Sequence, residues 1–198
     1  TSRGLGDVYK RQIQDMGITR LNLPPIPLHA STQTDNRTPE KVRFLEAAGF
    51  TQVVLARELS LNEIRRTSEA TTVPLEVFVH GALCVSYSGQ CYLSAALSGR
   101  SANRGECAQY CRLPYTMVDA TGTEIVSNKH LLSLKDMNRS DQLEALLDAG
   151  VSSLKIEGRL KDAGYVKNIT AYYRKKLDAV LSRRPEYRRA SAGRSTYT

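Results

Sequence analysis

The chain has 198 residues, of which 41% are hydrophobic and 24% charged, and its formal net charge is +8. This length suits one domain, and the apolar share is sufficient for a buried core. The sequence shows neither an apolar run long enough to cross a membrane nor a basic-then-apolar signal peptide, so we expect a cytoplasmic protein that does not enter a membrane.

The positive charge lies mostly at the two ends of the chain. Residues 1–12 carry a net charge of +2 and residues 182–198 carry +4, which leaves only +2 for the remainder. A folded region with so small a net charge does not by itself indicate a nucleic-acid partner.

Both ends differ in character from the middle of the chain. The sequence DVYKRQ at residues 7–12 resembles the translation of an adapter used in sequencing libraries, so we interpret residues 1–12 as foreign; the alternative is a native flexible arm. Residues 182–198 are rich in arginine and serine without an apolar period, which predicts a disordered tail. Residues 13–181 are then expected to be a fragment of a larger protein.

Between these ends, short apolar strands alternate with amphipathic helices. Residues 13–23 are predicted to be the remnant of a helix that ends before two prolines. Thr38 is a predicted helix cap, and Ser60 with Glu63 has the pattern of a capping box. The strands are predicted at residues 26–30, 52–56, 73–79 and 152–156, and the helices at 38–49, from 60 onward, 141–149 and 164–181.

The order of these elements defines a fold class. Strand, helix, strand, helix, strand is typical of a parallel sheet with crossover helices. A cysteine-rich segment at residues 80–112 interrupts the order, and residues 115–126 have the pattern of a β-hairpin that turns at 120–122. Four strand–helix pairs with this insertion predict an α/β fold, the C-terminal half of a (β/α)8 TIM-like barrel. Half a barrel leaves open sheet edges, which again indicates a fragment.

The four cysteines lie within 28 residues, spaced C-x6-C-x15-C-x3-C. This spacing lacks the paired C-x2-C knuckles that are usual in zinc modules. Four soft thiolates on irregular loops suit a cubane iron–sulfur cluster, which tolerates varied spacing. Buried structural thiols, or a zinc ion bound with His80, are the alternatives. The predicted metal ligands are Cys84, Cys91, Cys107 and Cys111.

His80 follows a predicted strand at the carboxyl end, where barrel active sites form. It suits a base or a substrate contact, or else a histidine satisfied by loop backbone. Alternation places Glu76, Phe78 and His80 on one face of the strand, which would be the barrel interior. A buried Glu76 needs a cation, for which Arg57 or Lys155 can serve.

Charged and polar residues follow other strands in the same way. Arg57 and Arg159 are predicted to clamp the carboxylates of a small donor by bidentate pairing. A structural ion pair between Arg57 and Glu157 is equally compatible with the pattern. His29 and Gln33 end the first strand and are predicted to line the same mouth.

Aromatic and basic side chains flank the cysteines. A flat ring of a ligand can stack on such a surface, although the same residues can also pack around a cluster. Of this set, Tyr87 and Arg112 are our predicted substrate contacts. The full set is Tyr87, Tyr92, Tyr110, Arg100, Arg104 and Arg112.

Three segments together resemble the signature of peptidase family U32. They read EVFVHGALCVSYSGQCYLS at residues 76–94, NRGECAQYCR at 103–112 and KIEGR at 155–159. The resemblance covers residues 13–181 without a departure in the cysteine pattern. Members of the family are longer than this chain, with further barrel strands and often a C-terminal domain.

The resemblance implies RNA hydroxylation, despite the peptidase name. Members of the family make 5-hydroxyuridine in tRNA from prephenate, or hydroxylate a cytidine of large-subunit rRNA, while a further branch hydroxylates a quinone precursor. It also implies a 4Fe–4S cluster on the four cysteines, a prephenate-like hydroxyl donor, an RNA partner and an accessory protein of the same family. The predicted catalytic residues are His80, Glu76, Arg57 and Glu157.

Two other functional classes are compatible with the sequence. One is a peptidase, although the chain contains neither a G-x-S-x-G nor an H-E-x-x-H motif. A thiol nucleophile formed by Cys84 with His80 would leave three clustered cysteines without a role. The other is a structural or partner subunit whose cluster does no chemistry.

Overall fold

The computed structural model describes residues 11–158 and 161–187. The first ten residues of the segment that we interpret as foreign, the predicted substrate contact Arg159 and most of the basic tail therefore lie outside the described residues. Within the described part, no helix combines the length and the apolar character that a membrane span requires.

The described chain forms eight strands and five helices. The strands are β1 (Arg11–Ile13), β2 (Leu28–Ala30), β3 (Gln52–Val54), β4 (Leu75–Gly81), β5 (Tyr115–Val118), β6 (Glu124–Lys129), β7 (Met137–Asn138) and β8 (Val151–Ile156). The helices are α1 (Pro39–Ala47), α2 (Leu61–Ser68), α3 (Leu93–Ser98), α4 (Leu143–Asp148) and α5 (Ala163–Arg183). Single 3-10 turns occur at Met16–Arg20, Thr32–Thr34, Ala102–Arg104, Tyr110–Arg112 and Ser140–Gln142.

The main sheet is parallel apart from one short strand. Strands β1, β2, β3, β4 and β8 pair in that order, all parallel, and β7 pairs antiparallel with the last two residues of β4. The α/β class is thus confirmed. The described strands form an open sheet, so the half-barrel stays a prediction. Because parallel strands share one carboxyl edge, the loops after β2, β3, β4 and β8 meet there.

The two predicted helix caps are confirmed. The Thr38 hydroxyl accepts a hydrogen bond from the Lys41 amide at 3.2 Å. The Ser60 hydroxyl accepts from the Glu63 amide at 3.3 Å, and the Glu63 carboxylate accepts in return from the Ser60 amide at 2.8 Å. Hydrogen bonds that the hydroxyl and the amide of Ser60 donate to the Glu63 carboxylate hold the pKa of Glu63 below its usual value.

The hairpin is also confirmed, as a separate two-stranded antiparallel sheet formed by β5 and β6. Its turn is held by Asp119, whose carboxylate accepts hydrogen bonds from the amides of Thr121 and Thr123 at 2.8 and 3.0 Å. Bonds from Thr121 and Thr123 lower the pKa of this carboxyl group. An aspartate that caps its own turn in this way fixes the loop without help from the rest of the fold.

Strand β4 separates an apolar face from a polar one. Leu75, Val77 and Val79 belong to the apolar core, whereas Glu76 and Phe78 alternate with them on the other face. The core contains side chains from all the strands of the main sheet except β7, and from α1, α2, α4 and α5. Its fully buried large members include Leu45, Phe50, Leu55, Ile64, Leu75, Leu143 and Leu146.

The buried Glu76 carboxylate has the cation that the sequence predicted. Lys155 is the residue that provides it, with Nζ 3.2 Å from Oε1. Gln52 Nε2 and Ser153 Oγ donate to the same carboxylate at 2.7 and 2.8 Å. Glu76 is therefore held by strands on both sides of β4, which locks the register of the sheet at this level.

Two predicted boundaries are wrong. Residues 13–23 do not form a helix remnant; Arg11–Ile13 pairs with β2 as a strand and only a 3-10 turn follows. The prolines after Leu23 keep the next segment extended, which lets it pair. At the other end, α5 runs to Arg183, and Arg184 forms ion pairs with Glu144 and Asp148 at 2.6 and 2.8 Å. Residues 182–187 are thus not the disordered tail that the sequence predicted.

Candidate functional site

The four cysteines line a single cavity of about 270 Å³ at the carboxyl edge of the parallel sheet. Gln33 reaches it from the loop after β2, Arg57 from the loop after β3 and Glu157 from the end of β8. None of the cysteines is in a disulfide; Cys84 is exposed, and Cys91, Cys107 and Cys111 are half-buried. The fold thus brings together four thiols from a stretch of irregular loops.

The surroundings of the Cys111 thiol shift its pKa. Burial raises the pKa of the Cys111 thiol, and Cys84, Cys107 and Cys91 raise it further, while the adjacent Arg112 guanidinium acts in the opposite direction. Cys111 therefore lies near enough to the other three cysteines for their charge to affect its pKa.

The arrangement of the thiols can be tested against the possible metals. Among the described residues, no three His, Cys, Asp or Glu side chains converge as they would around one ion. Four sulfurs bound to zinc at about 2.3 Å lie only about 3.8 Å from each other. A cubane cluster spaces its ligands more widely, because each thiolate binds a different iron atom. The four free thiols that line one cavity match a cubane cluster in the type and number of its ligands.

The loop between the first two cysteines is tied to neighbouring loops by polar side chains. The buried Ser88 donates from its amide and its hydroxyl to the two carboxylate oxygens of Glu58, both at 3.0 Å. Gln90 Nε2 donates to Asp35 at 2.8 Å. These positioning residues were not predicted from the sequence, in which the only signal is that Glu58 directly follows a strand and Arg57.

Polar side chains also hold the segments around Cys91 and Cys107. The Cys91 amide donates to Asn103 Oδ1 at 3.2 Å. The Ser94 hydroxyl, in a residue that is only 2% exposed, accepts from the Ala108 amide at 3.0 Å. These bonds connect the segment around Cys91 with the segment that leads into Cys107, so the two halves of the cavity wall hold each other.

The loop between Cys84 and Cys91 passes close to the loop after β2 at Gly89, and this close approach requires a glycine. Its φ is +76°, and a Cβ atom there would lie 2.5 Å from the Gln33 carbonyl oxygen. We expect Gly89→Ala to lower the free energy of unfolding by about 2–3 kcal/mol, through strain at positive φ plus the clash. Urea unfolding measures this loss.

Gly99 supplies the matched control for that substitution. It has φ +69°, and a Cβ atom added there would have nothing within 4 Å of it, so Gly99→Ala should show only the backbone strain, about 1 kcal/mol. Equal losses in the two variants would show that the close approach to Gln33 does not restrict the loop.

His80 is not one of the described residues that line the cavity. Its Nε2 lies 3.1 Å from the Tyr165 hydroxyl and its Nδ1 lies 3.3 Å from the Tyr173 hydroxyl. The Tyr173 hydroxyl in turn donates to the Val79 carbonyl at 2.7 Å. His80 is thus satisfied by two tyrosines of α5 rather than by loop backbone, and it is not placed as a zinc ligand beside the cysteines.

The other predicted catalytic residues divide into two groups. Arg57 and Glu157 both line the cavity and form an ion pair at 3.7 Å, with the Arg57 guanidinium 3.9 Å from the centre of the Phe78 ring. The structural ion pair that the sequence allowed is therefore present. Glu76 does not line the cavity; it is buried among its partners in the sheet.

The predicted substrate contacts also divide. Gln33 and Tyr87 line the cavity, whereas His29 is buried in β2 and does not. Arg112 lines it as well, but its guanidinium donates to the carbonyls of Leu83 and Leu134 at 2.6 and 3.0 Å. Arg112 therefore holds the cavity wall together.

Exposed aromatic rings flank the mouth of the cavity. Tyr87 and Tyr92 line it and are 61% and 65% exposed. The Arg37 guanidinium lies 4.5 Å from the centre of the Tyr87 ring. Arg100 and Arg104 are exposed in the loop after α3. The mouth thus offers flat aromatic surfaces and positive charge.

The comparisons with known proteins give a consistent result. The family model described as Peptidase family U32 matches residues 7–196. The "23S rRNA 5-hydroxycytidine C2501 synthase" of Escherichia coli (strain K12) is 60% identical over 185 residues, which are 93% of this chain and 28% of the relative.

Two further relatives are more distant. The "tRNA hydroxylation protein P1" of Bacillus subtilis (strain 168) is 38% identical over 162 residues, 79% of this chain and 38% of the relative. The "Collagenase" of Porphyromonas gingivalis (strain ATCC BAA-308 / W83) is 37% identical over 167 residues, 78% of this chain and 40% of the relative. The chain spans less than half the length of each of these relatives. No solved structure gives a significant match.

Proposed function

Because the chain belongs to peptidase family U32, we propose that it forms the cluster-binding part of an RNA-modifying hydroxylase. The observation that carries this proposal is the cavity in which four free thiols meet beside the Arg57–Glu157 pair. Two of the relatives support the reaction class, since their names assign them to hydroxycytidine synthesis in rRNA and to hydroxylation of tRNA.

The cofactor that we propose is a 4Fe–4S cluster. Cys84, Cys91, Cys107 and Cys111 would each bind one iron, and the bound cluster supplies electron transfer. Polar side chains of the surrounding loops keep the cysteines in place. Glu58, Asn103 and Ser94 accept hydrogen bonds from backbone amides of the loops and so fix the cavity wall.

The substrate that we propose is a pyrimidine base of RNA. Tyr87 and Tyr92 present exposed rings at the mouth, on which an extruded base can stack, and the Arg37 guanidinium, which is paired with Asp35, lies over the Tyr87 ring. Identity of 60% to an rRNA cytidine enzyme, against 38% to a tRNA protein, favours a cytidine of large-subunit rRNA over a tRNA uridine.

Hydroxylation replaces a hydrogen of the base with a hydroxyl group, so the reaction also needs an oxygen donor. A prephenate-like dicarboxylate remains our proposal for that donor. In the cavity lining, the Arg57 guanidinium can bind a carboxylate of the donor. Its Nη2 atom lies 3.7 Å from Glu157 Oε2. A donor carboxylate would therefore compete with Glu157 for Arg57, or bind beside the pair.

Nucleoside mass spectrometry tests this function. A strain that lacks the full-length gene should lose one hydroxylated cytidine from its 23S rRNA, while tRNA hydroxyuridine is retained, and the intact gene should restore the loss. Unchanged nucleosides in both rRNA and tRNA would contradict the proposal. Loss from tRNA alone would keep the reaction class and correct the substrate.

A peptidase is the second candidate, favoured by the relative named collagenase. A Cys84–His80 pair is not supported, since the His80 ring is bonded to Tyr165 and Tyr173 and does not line the thiol cavity. Cleavage of gelatin by the purified full-length protein, with RNA nucleosides unchanged in the deletion strain, would favour this candidate.

A further inference from the structure

A second cavity of about 420 Å³ adjoins the thiol cavity. Arg57, Leu83 and Cys84 line both cavities. The rest of the second cavity is formed by the residue after Arg57 and by the segment that contains β7. These residues are Glu58, Leu134, Met137, Asn138, Arg139 and Gln142.

Hydrogen-bond donors dominate the polar lining of this second cavity. Both carboxylate oxygens of Glu58 already accept bonds from Ser88. Asn138 Oδ1 accepts from the Ser140 amide at 3.0 Å, and the NH₂ group of the Asn138 side chain is the donor that it can offer to a ligand. The Glu58 carboxylate and the Asn138 side-chain oxygen thus already accept hydrogen bonds, while the side-chain NH₂ groups of Asn138 and Gln142 can donate to a ligand.

Arg139 contributes positive charge to a lining that also contains the Glu58 carboxylate. Its side chain donates to the Leu59 carbonyl at 2.8 Å, and no ion pair within the described part of the chain includes it. Burial lowers the pKa of this guanidinium, and no anion among the described residues acts against that effect. A partly desolvated cation of this kind is stabilised when an anion binds beside it.

We propose that the second cavity binds the oxyanion group of a ligand, a carboxylate or a phosphate. Arg139 provides the charge, and the amides of Asn138 and Gln142 provide further donors. Since Cys84 and Arg57 line both cavities, the bound oxyanion lies directly beside the thiols. This binding site follows from the lining of the cavity and does not depend on the proposed hydroxylase function.

Titration of the full chain with small anions tests the site. We expect inorganic phosphate or malonate to bind saturably in isothermal calorimetry. Arg139→Gln should weaken this binding at least tenfold. The matched control is Arg66→Gln, an exposed arginine on α2, which should leave the affinity unchanged.

A second variant protects the test against misfolding. Gln142 is exposed, so Gln142→Glu should fold normally and weaken anion binding about tenfold through like-charge repulsion. Absence of saturable binding of both probes, or unchanged affinity in the folded Arg139→Gln and Gln142→Glu variants, would overturn the proposal.

The same titration identifies the source of the oxyanion. Displacement of the probe by a short RNA oligonucleotide would assign the site to an RNA phosphate. Simultaneous binding of probe and RNA would assign it to a free small carboxylate or phosphate. Neither readout uses hydroxylase activity, so a failure here is distinguishable from a failure of the proposed function.

Discussion

Replacing Cys91 by serine should abolish cluster binding in the full-length protein. The wild-type protein, purified without oxygen, is expected to be brown and to contain about four iron atoms per chain, as other four-thiolate cubane sites do. Cys91→Ser should retain fewer than one. The fold should survive, because the bond from the Cys91 amide to Asn103 uses the backbone. Iron analysis and visible absorption measure the result.

A serine elsewhere in the same loop is the control. Val85 lines the same cavity and is 44% exposed, so Val85→Ser should keep its iron and colour. A folded wild-type protein that is colourless and free of iron would refute the cluster. Full iron content in Cys91→Ser would show that Cys91 is not a ligand.

Removing Lys155 should produce the largest loss of stability among single substitutions in the sheet. Lys155→Met removes the ammonium group that lies 3.2 Å from the Glu76 carboxylate, whose side chain is 8% exposed. Taking one partner from a buried ion pair costs about 3–5 kcal/mol, and we expect about 3 kcal/mol because Lys155 is itself partly exposed. Urea unfolding at neutral pH measures the change.

A second substitution should reverse most of this loss. Glu76→Gln in the Lys155→Met background removes the uncompensated charge, so the double variant should be about 2 kcal/mol more stable than Lys155→Met. Arg43→Met, which breaks an exposed pair with Glu40 on α1, should cause no measurable change. A double variant less stable than Lys155→Met would show that the charge of Glu76 is balanced by other groups.

Local features of the fold were predictable from the sequence. Ser60 and Glu63 lie three residues apart, and Asp119 closes a turn with residues two and four positions on. The short strands were predictable as well, because a run of β-branched residues is also a local signal. The cation for Glu76 was also predicted, because a buried carboxylate requires one and only a few side chains were in reach.

Long-range partners were not predictable from one sequence. His80 is bonded to Tyr165 and Tyr173, 85 and 93 residues further along the chain. No local pattern indicates that α5 lies across the end of β4. Strand β7, which has two residues, has too few side chains to show a period. The clustering of the cysteines could be predicted, but the cavity beside Arg139 depends on how β7 meets β4.

The bonds of Arg112 change the thermodynamics of metal uptake. Its guanidinium follows Cys111 directly and holds the carbonyl of Leu83, which precedes Cys84, so it closes the whole loop of 28 residues between the first and last thiol. Closing such a loop costs conformational entropy that grows with the logarithm of its length. In this chain that entropy is lost during folding. The loop that carries the proposed ligands is therefore already closed before a cofactor binds, and we expect more of the intrinsic metal–sulfur affinity to appear as observed binding.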